Sequence, residues 1–547
     1  MKSMGLQNVK AFVDTGDVAI APITVFVGRN SSGKSTFLRF IQVLSQTFNN
    51  GPSSPILLYD DMQPNVIDFG FFEDVVNLHT ASSFSVSLDY PITLRMGSNR
   101  TPQNATGHTR NRVVYQSRII VTYAKPNARS RVFATKIQLF INGQLFSSLD
   151  KIETSKKYIF RQYKTLSRQQ LTDIQTELTL EADTIANFMP MFDEKSVWRA
   201  ICAHEGITSS RAVEDLYFKT MVDAGDIEYN PEDPAPERTF SDTGFQYRPP
   251  EKSQFKKLRD AYDAYRVANI FYTGIYSKMR SEFTNVHYIG PFRADPKRYY
   301  RRDENEHLNV GVHGDFTGSL LINDAREKGD LVTDVSKWFD DALEYQIGIR
   351  EIGVGSGLYQ IAATDKDGST NNLMDVGYGI SQVLPIVTQI SMAREQSRKA
   401  EKDAAAGKHR LYAALAKTFV IEQPELHLHP NAQAFLASLF ASCVHMPSSR
   451  DKILIETHSE HLIRAIQLLI ADTDNPYHLT KDQVRIYYVH NQSEDPEKSG
   501  SWIEEMQMDE YGQFLNKWPK GFFDKAYSLT SDLMSAVSKR KHREKQS

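Results

Sequence analysis

The chain has 547 residues, 2 cysteines, and 64 Lys and Arg against 67 Asp and Glu. At about 150 residues per domain this length fits three or four domain-sized units, and 40% hydrophobic with 11% aromatic residues can build sizeable cores, which excludes global disorder and a fibrous class. Cys202 and Cys443 are too few for a disulfide framework or a four-thiolate metal site, so a reducing, cytoplasmic setting is expected; no apolar run reaches the ~18 residues of a membrane span, the start has no signal-peptide core, and a net charge of -3 gives no global reason to expect nucleic acid.

The first informative element is Ile23-Thr-Val-Phe-Val27, a β-branched and aromatic run that predicts a buried strand. It leads into Gly28-Arg-Asn-Ser-Ser-Gly-Lys-Ser35, followed by Thr36, which fits the P-loop spacing G-x-x-x-x-G-K-[ST]. Phe37, Ile41 and Leu44 then recur at helical spacing, so the loop opens a helix. Gly28 and Gly33 permit backbone turns closed to other residues. The N–H groups of Arg29, Asn30, Ser31 and their neighbours can then point at phosphate oxygens, where the helix dipole also favours negative charge. Lys34 can reach the β- and γ-phosphates, and Ser35 can ligate Mg²⁺.

Strands are predicted over Phe84–Leu88, Arg112–Tyr115, Arg118–Thr122 and Lys136–Phe140, the last closing on an Asn-Gly turn. Residues 165–225 read as helical, with Leu171, Ile174 and Leu178 at helical spacing. The segment 225–252 is acidic and rich in proline, as expected of an exposed linker or lid. Residues 253–284 predict a long amphipathic helix with Leu258, Tyr262 and Tyr265 on one stripe, without a sustained heptad pattern.

Two basic stretches interrupt the neutral balance. One carries Arg95, Arg100, Arg110 and Arg112. The other carries Arg293, Lys297, Arg298, Arg301 and Arg302 around Tyr299-Tyr300. Arginine interleaved with tyrosine suits phosphate contact plus base stacking, which makes Arg298, Arg301 and Arg302 candidates for DNA or RNA contact. A solvated loop, or arginines serving the nucleotide site, is the alternative, and Arg293 is the one with a structural reading.

Further on, Asp375-Val-Gly-Tyr-Gly-Ile-Ser-Gln-Val-Leu-Pro385 places small residues and a serine before an apolar stretch, as a second helix N-terminus facing phosphate would. Arg394 to Arg410 reads as a helix and turn with a solvated face. The apolar strand Thr418-Phe-Val-Ile421 ends in Glu422-Gln-Pro-Glu425. A carboxylate at a strand tip suits Mg²⁺, a hard ion, so Ser35 and Glu422 are the expected metal ligands. A third strand, Lys452-Ile-Leu-Ile-Glu-Thr457, leads to His458-Ser-Glu-His461, where His458 can sense or polarise a γ-phosphate.

This set resembles the ABC-type ATPase heads of the RecF, SMC and OLD group. The resemblance makes Gly377, Gly379, Ser381 and Gln382 the signature motif, Glu422 the Walker B acid, Leu426-His-Leu-His-Pro430 the D-loop region and His458 the switch histidine. It implies an α/β fold: an ABC-type head, with a P-loop mixed sheet and an antiparallel subdomain, plus a mainly helical insertion. The head's N-terminal half would be 1–82, its antiparallel part 83–160, the insertion 161–330, its C-terminal half 331–530 and a basic tail 531–547. It further implies ATP and Mg²⁺, and a homodimer in which each Ser381 faces the nucleotide of the other subunit.

Asp68–Val76 is similar to the segment near the family's Q-loop, although no glutamine follows a strand there. One departure bears on catalysis. The glutamate that usually follows the Walker B acid is Gln423 here, and an amide cannot accept a proton as a carboxylate can, so hydrolysis is expected to be slow.

The same motifs, with Lys520-Gly-Phe-Phe-Asp524 near the end, resemble the ATPase component of Septu-type anti-phage systems, including retron-linked ones. That resemblance implies an HNH-type nuclease partner and, in the retron case, a reverse transcriptase with its msDNA, and no membrane partner. A RecF-like repair or recombination clamp is the alternative. An OLD-type nuclease would need a Toprim domain, for which Asp472-Thr-Asp474 after a helix is poor support.

Overall fold

The computed structural model describes residues 1–51, 55–59, 66–77, 82–95, 112–125, 131–152, 155–167, 170–182, 192, 194–204, 206, 252–303, 305–353, 355–405, 416–445, 449–495 and 497–519. The acidic linker up to residue 251, Arg100, Arg110, residues 406–410, Lys520–Asp524 and the basic tail lie outside them. The chain forms two compact units. The first comprises Met1–Gly5, Asn50–Leu57 and Thr80–Arg280; the second comprises Leu6–Asn49, Leu58–His79 and Ser281–Ser547.

The second unit takes the start of the chain from within β1 (Ser3–Val9). It continues through β2 (Phe12–Asp14), β3 (Val18–Ala19), β4 (Ile23–Gly28), helix α1 (Lys34–Asn49) and the short α2 (Phe72–Val75). Every residue of β4 is buried, as both faces of a parallel sheet require.

The first unit is an antiparallel meander of β5 (Ser83–Arg95), β6 (Arg112–Ala124), β7 (Phe133–Ile141), β8 (Gln144–Lys151), β9 (Lys157–Ser167) and β10 (Gln170–Glu181). Each strand pairs with the next. Asn142 and Gly143, both at positive φ, make the tight β7–β8 turn, the conformation that an Asn-Gly pair favours. The helical reading of Leu171, Ile174 and Leu178 is corrected: all three lie in β10. Among the described residues the helices here are α3 (Glu194–His204) and α4 (Lys252–Phe283). Leu258, Tyr262 and Tyr265 of α4 are buried as expected, and Tyr265 and Phe271 meet Phe160 and Phe146 of the sheet.

The second unit then resumes with β11 (Val286–Ile289), β12 (Tyr300–Arg301), α5 (Thr317–Glu327), α6 (Leu331–Leu343), β13 (Tyr345–Glu351), β14 (Leu358–Asp365), β15 (Thr370–Asn372) and α7 (Tyr378–Ala405). It closes with β16 (Thr418–Glu422), α8 (Pro430–Val444), β17 (Lys452–Glu456), α9 (Glu460–Ala471), β18 (Val484–His490) and β19 (Trp502–Glu505). Its main sheet runs β11-β16-β17-β4-β18-β19, parallel except for the β19 edge. A smaller antiparallel sheet holds β12, β14, β13 and β15.

The strand order puts the tips of β4, β17 and β16 side by side, and these carry Gly28, Glu456 and Glu422. The fold is thus α/β, with a P-loop mixed sheet and an antiparallel sheet, in agreement with the expected class. No helix among the described residues is long and apolar enough to cross a membrane. Cys202 and Cys443 are free and buried, and burial pushes both thiols up to about 12.

Candidate nucleotide site

β4 delivers the chain to a loop with three left-handed residues: Gly28 at φ 145°, Ser31 at φ 60° and Gly33 at φ 108°. A Cβ on Gly28 would lie 2.3 Å from the Val489 carbonyl oxygen of β18, and one on Gly33 2.7 Å from the Phe12 ring. Both glycines are therefore required by conformation and by space. α1 begins at Lys34, whose amine donates to the carbonyls of Gly28 (3.0 Å) and Arg29 (2.8 Å) and stands 3.9 Å from Glu456. Burial lowers the Lys34 pKa, and Glu456 opposes that shift.

Asn30, Ser31, Gly33, Lys34, Ser35, Thr36, Gln423 and Glu456 line a cleft of about 310 Å³ together with Ala11. Arg29 is exposed, 4.0 Å from Glu494. The Ser32 hydroxyl is buried without a hydrogen-bond partner. A cradle closed to Cβ atoms, a buried ammonium and a helix N-terminus fit a nucleotide polyphosphate. The loop amides and Lys34 would hold it. Ser35 would help to hold a Mg²⁺, which would supply charge neutralisation to the phosphates.

Glu422 ends β16 as expected, with only 1% of its surface exposed. Arg39 grips both its carboxylate oxygens, from Nε and Nη2 at 2.8 Å each, and the Tyr288 hydroxyl donates to Oε1 at 2.7 Å. Glu456, in register beside it on β17 and 3% exposed, accepts the Ser35 hydroxyl at 2.6 Å. Burial and the nearby Glu422 raise its pKa. Gln423 follows at φ 46°, its N–H bonded to the Glu456 carbonyl, and it lines the cleft. Arg293 proves structural: it is buried and donates to the carbonyls of Glu422 and Gln423, bracing this turn, and burial lowers its pKa to about 10.

His458 sits on the turn between β17 and α9, which Ser459 caps through the Leu462 N–H. Its backbone N–H donates to Glu425 Oε1 at 2.6 Å. The His458 Nε2 and the Glu425 Oε2 are both buried without a partner. Burial, with Lys34 adding to it, pulls the His458 pKa down to about 4. The ring is thus neutral in the fold at pH 7. Its unfolded counterpart takes a proton near the usual pKa of about 6.5, so its contribution to stability is lost as pH falls from there through about 4. In NMR of histidine-labelled protein, the signal that vanishes in His458→Gln should not titrate between pH 8 and pH 5.5. A midpoint near 6.5 would contradict this.

The segment expected to be the signature motif runs into α7, which begins at Tyr378. Gly377 is exposed, and a Cβ on Gly379 would lie 2.4 Å from the His427 carbonyl, so α7 packs closely on the Leu426–Pro430 segment. Ser381 donates to the Tyr378 carbonyl, and Ser381 and Gln382 are buried in α7. Tyr378 sits edge-on to His427, and His429 caps α8, so these histidines have structural partners. In the basic segment, Arg298, Arg301 and Arg302 are all exposed, and Arg298 forms a surface bidentate pair with Asp375 (2.7 and 2.9 Å). Tyr299 is exposed, and Tyr300 is partly buried and packs against the core.

Sequence reasoning missed Glu456, Arg39 and Tyr288 as site residues. Glu456 had a signal, since it ends an apolar strand just as Glu422 does. Arg39 also had one, at i+4 from Ser35 on the same helix face.

Residues 23–97 match a family model described as "AAA domain, putative AbiEii toxin, Type IV TA system", and residues 317–463 match one described as "AAA ATPase domain". Residues 479–533 match "Protein of unknown function (DUF3696)". No curated protein matches the chain. Among solved structures, it aligns with an Smc head domain bound to the C-terminal domain of ScpA from Pyrococcus furiosus, at 9% identity over 97% of this chain and 99% of that one, with a TM-score of 0.32. It also aligns with the SMC head domain from Thermotoga maritima, at 10% identity over 93% and 99%, with a TM-score of 0.32. Scores this low leave the architecture to rest on strand order and motifs. Of the two matched segments, the first holds the P-loop and the second holds Glu422 and His458.

Proposed function

We propose that this protein is a slowly hydrolysing ABC-type ATPase that dimerises around ATP and regulates a partner effector nuclease in anti-phage defence. One observation carries the reading of slow turnover. The amide Gln423 lines the cleft together with Lys34, Ser35 and Glu456, at the position where the ABC-type resemblance expects a water-activating glutamate. A positioned general base contributes roughly 10²–10⁴-fold to rate. Purified protein should therefore turn ATP over well below about 1 s⁻¹, against ~10 s⁻¹ for a median enzyme, and Gln423→Glu should raise the rate more than about tenfold. A parent rate above 1 s⁻¹, or no gain in the variant, contradicts the reading.

The defence role draws support from the family description of residues 23–97, which names a "putative AbiEii toxin, Type IV TA system". Co-purification with neighbouring gene products tests it. An HNH protein or a reverse transcriptase in the complex supports it, and DNA cleavage by the purified chain alone counts against it. For the dimer, equal mixing of Lys34→Ala and Ser381→Arg proteins should restore one composite site and ATP-dependent association. A RecF-like clamp is the second reading, favoured by exposed Arg301, Arg302 and Tyr299.

A further inference from the structure

Two buried carboxylates stand side by side at the tips of β16 and β17, and their partners differ. Glu422 accepts three hydrogen bonds: Arg39 holds both oxygens and Tyr288 adds a third to Oε1. It does not line the cleft. Glu456 does, and its Oε2 meets the Ser35 hydroxyl, the side chain that a P-loop offers to a divalent cation. We infer that Ser35 and Glu456 are the protein ligands of the divalent cation at this nucleotide site, and that Arg39 and Tyr288 hold Glu422 off the metal as a positioning residue. This rests on the ATP-binding reading above.

Geometry supports it first. Octahedral Mg²⁺ holds its ligands at 2.0–2.1 Å, which sets neighbouring ligand oxygens about 2.9 Å apart. Ser35 Oγ and Glu456 Oε2 are 2.6 Å apart, so a small opening converts their hydrogen bond into two adjacent ligand positions. Among the described residues no three His, Cys, Asp or Glu side chains gather into a metal site. That suits a cation that keeps waters and takes its remaining ligands from phosphate.

Charge supports it second. Two buried carboxylates in register repel each other, and Arg39 neutralises the one on β16. The one on β17 has Lys34 as its ion-pair partner among the described residues, at 3.9 Å, with Arg39 adding a weaker field from its clamp on Glu422, and the Lys34 amine is hydrogen-bonded to the Gly28 and Arg29 carbonyls. A divalent cation on Glu456 supplies the missing charge without displacing the Arg39 clamp.

The test is Mn²⁺ binding, read by electron paramagnetic resonance on full-length protein with a non-hydrolysable ATP analogue. Fluorescent-nucleotide binding is measured in parallel, with Mg²⁺ and with EDTA. Glu456→Gln should weaken nucleotide-dependent Mn²⁺ binding by about tenfold or more, the scale of losing a metal-site partner. Glu422→Gln should leave it close to that of the parent protein. Nucleotide binding in EDTA should survive in both variants, which separates the metal claim from the ATP claim. Larger loss in Glu422→Gln, or parent-like Mn²⁺ binding in Glu456→Gln, overturns the assignment while leaving the ATPase reading intact. A parent protein that binds no nucleotide under either condition overturns both. Should Glu456→Gln fail to fold, Ser35→Ala carries the same comparison: it should lose Mn²⁺ affinity while Glu422→Gln does not, and parent-like affinity in Ser35→Ala overturns the pair.

Discussion

Lys34→Ala is expected to weaken ATP binding by roughly 10- to 100-fold and to remove measurable hydrolysis. The magnitude follows from what the amine is. A charged hydrogen-bond donor in a water-poor site contributes about 1.5–3 kcal/mol, and each 1.4 kcal/mol is a factor of ten in affinity. Lys34 is 3% exposed and held at the mouth of α1 by two loop carbonyls, so little conformational entropy remains to be lost when a phosphate arrives. Removing it also strips Glu456 of its nearest cation, which adds repulsion against an anionic ligand. Titration of a fluorescent ATP analogue measures the effect. A dissociation constant within threefold of the parent value would show that the loop amides alone bind the nucleotide.

That site was largely legible because its parts are local. A strand, a glycine-rich loop and a helix lie within some twenty residues, and each has its own pattern of apolar spacing. The placement of Glu422 and His458 at strand ends was legible for the same reason, Glu422 ending an apolar strand and His458 following one. The clamp on Glu422 was not, because Arg39, Tyr288 and Glu422 come from three distant segments and meet only once β11, β16 and α1 pack.

The misreading of β10 has a different cause. Its register on β9 shifts between Asp173 and Thr176, a bulge that adds one residue to the alternation. Leu171 and Ile174 therefore fall on the same side at a spacing of three, which imitates a helix, before Leu178 and Leu180 resume the two-residue period. The basic segment was legible only as charge. Its charge was visible, but the pairing of Arg298 with Asp375 and the burial of Arg293 are tertiary facts.

Arg39→Leu is expected to destabilise the second unit by about 3 kcal/mol. Removing one partner of a buried ion pair leaves the other charge without compensation, at a cost of roughly 3–5 kcal/mol. The lower end applies because the Arg39 side chain is 35% exposed and solvent already screens its outer part. Glu422, at 1% exposure, has no such relief, and Tyr288 can offer it only a neutral hydrogen bond. The burden therefore falls on the carboxylate, and the direct check is to neutralise it. Arg39→Leu with Glu422→Gln should recover more than half of the lost stability, and Glu422→Gln alone should cost less than Arg39→Leu alone. Chemical denaturation of the four proteins gives the coupling between the two positions. If the double variant is as unstable as the sum of the singles, Arg39 stabilises the fold by packing its stem, and its charge contributes nothing to holding Glu422.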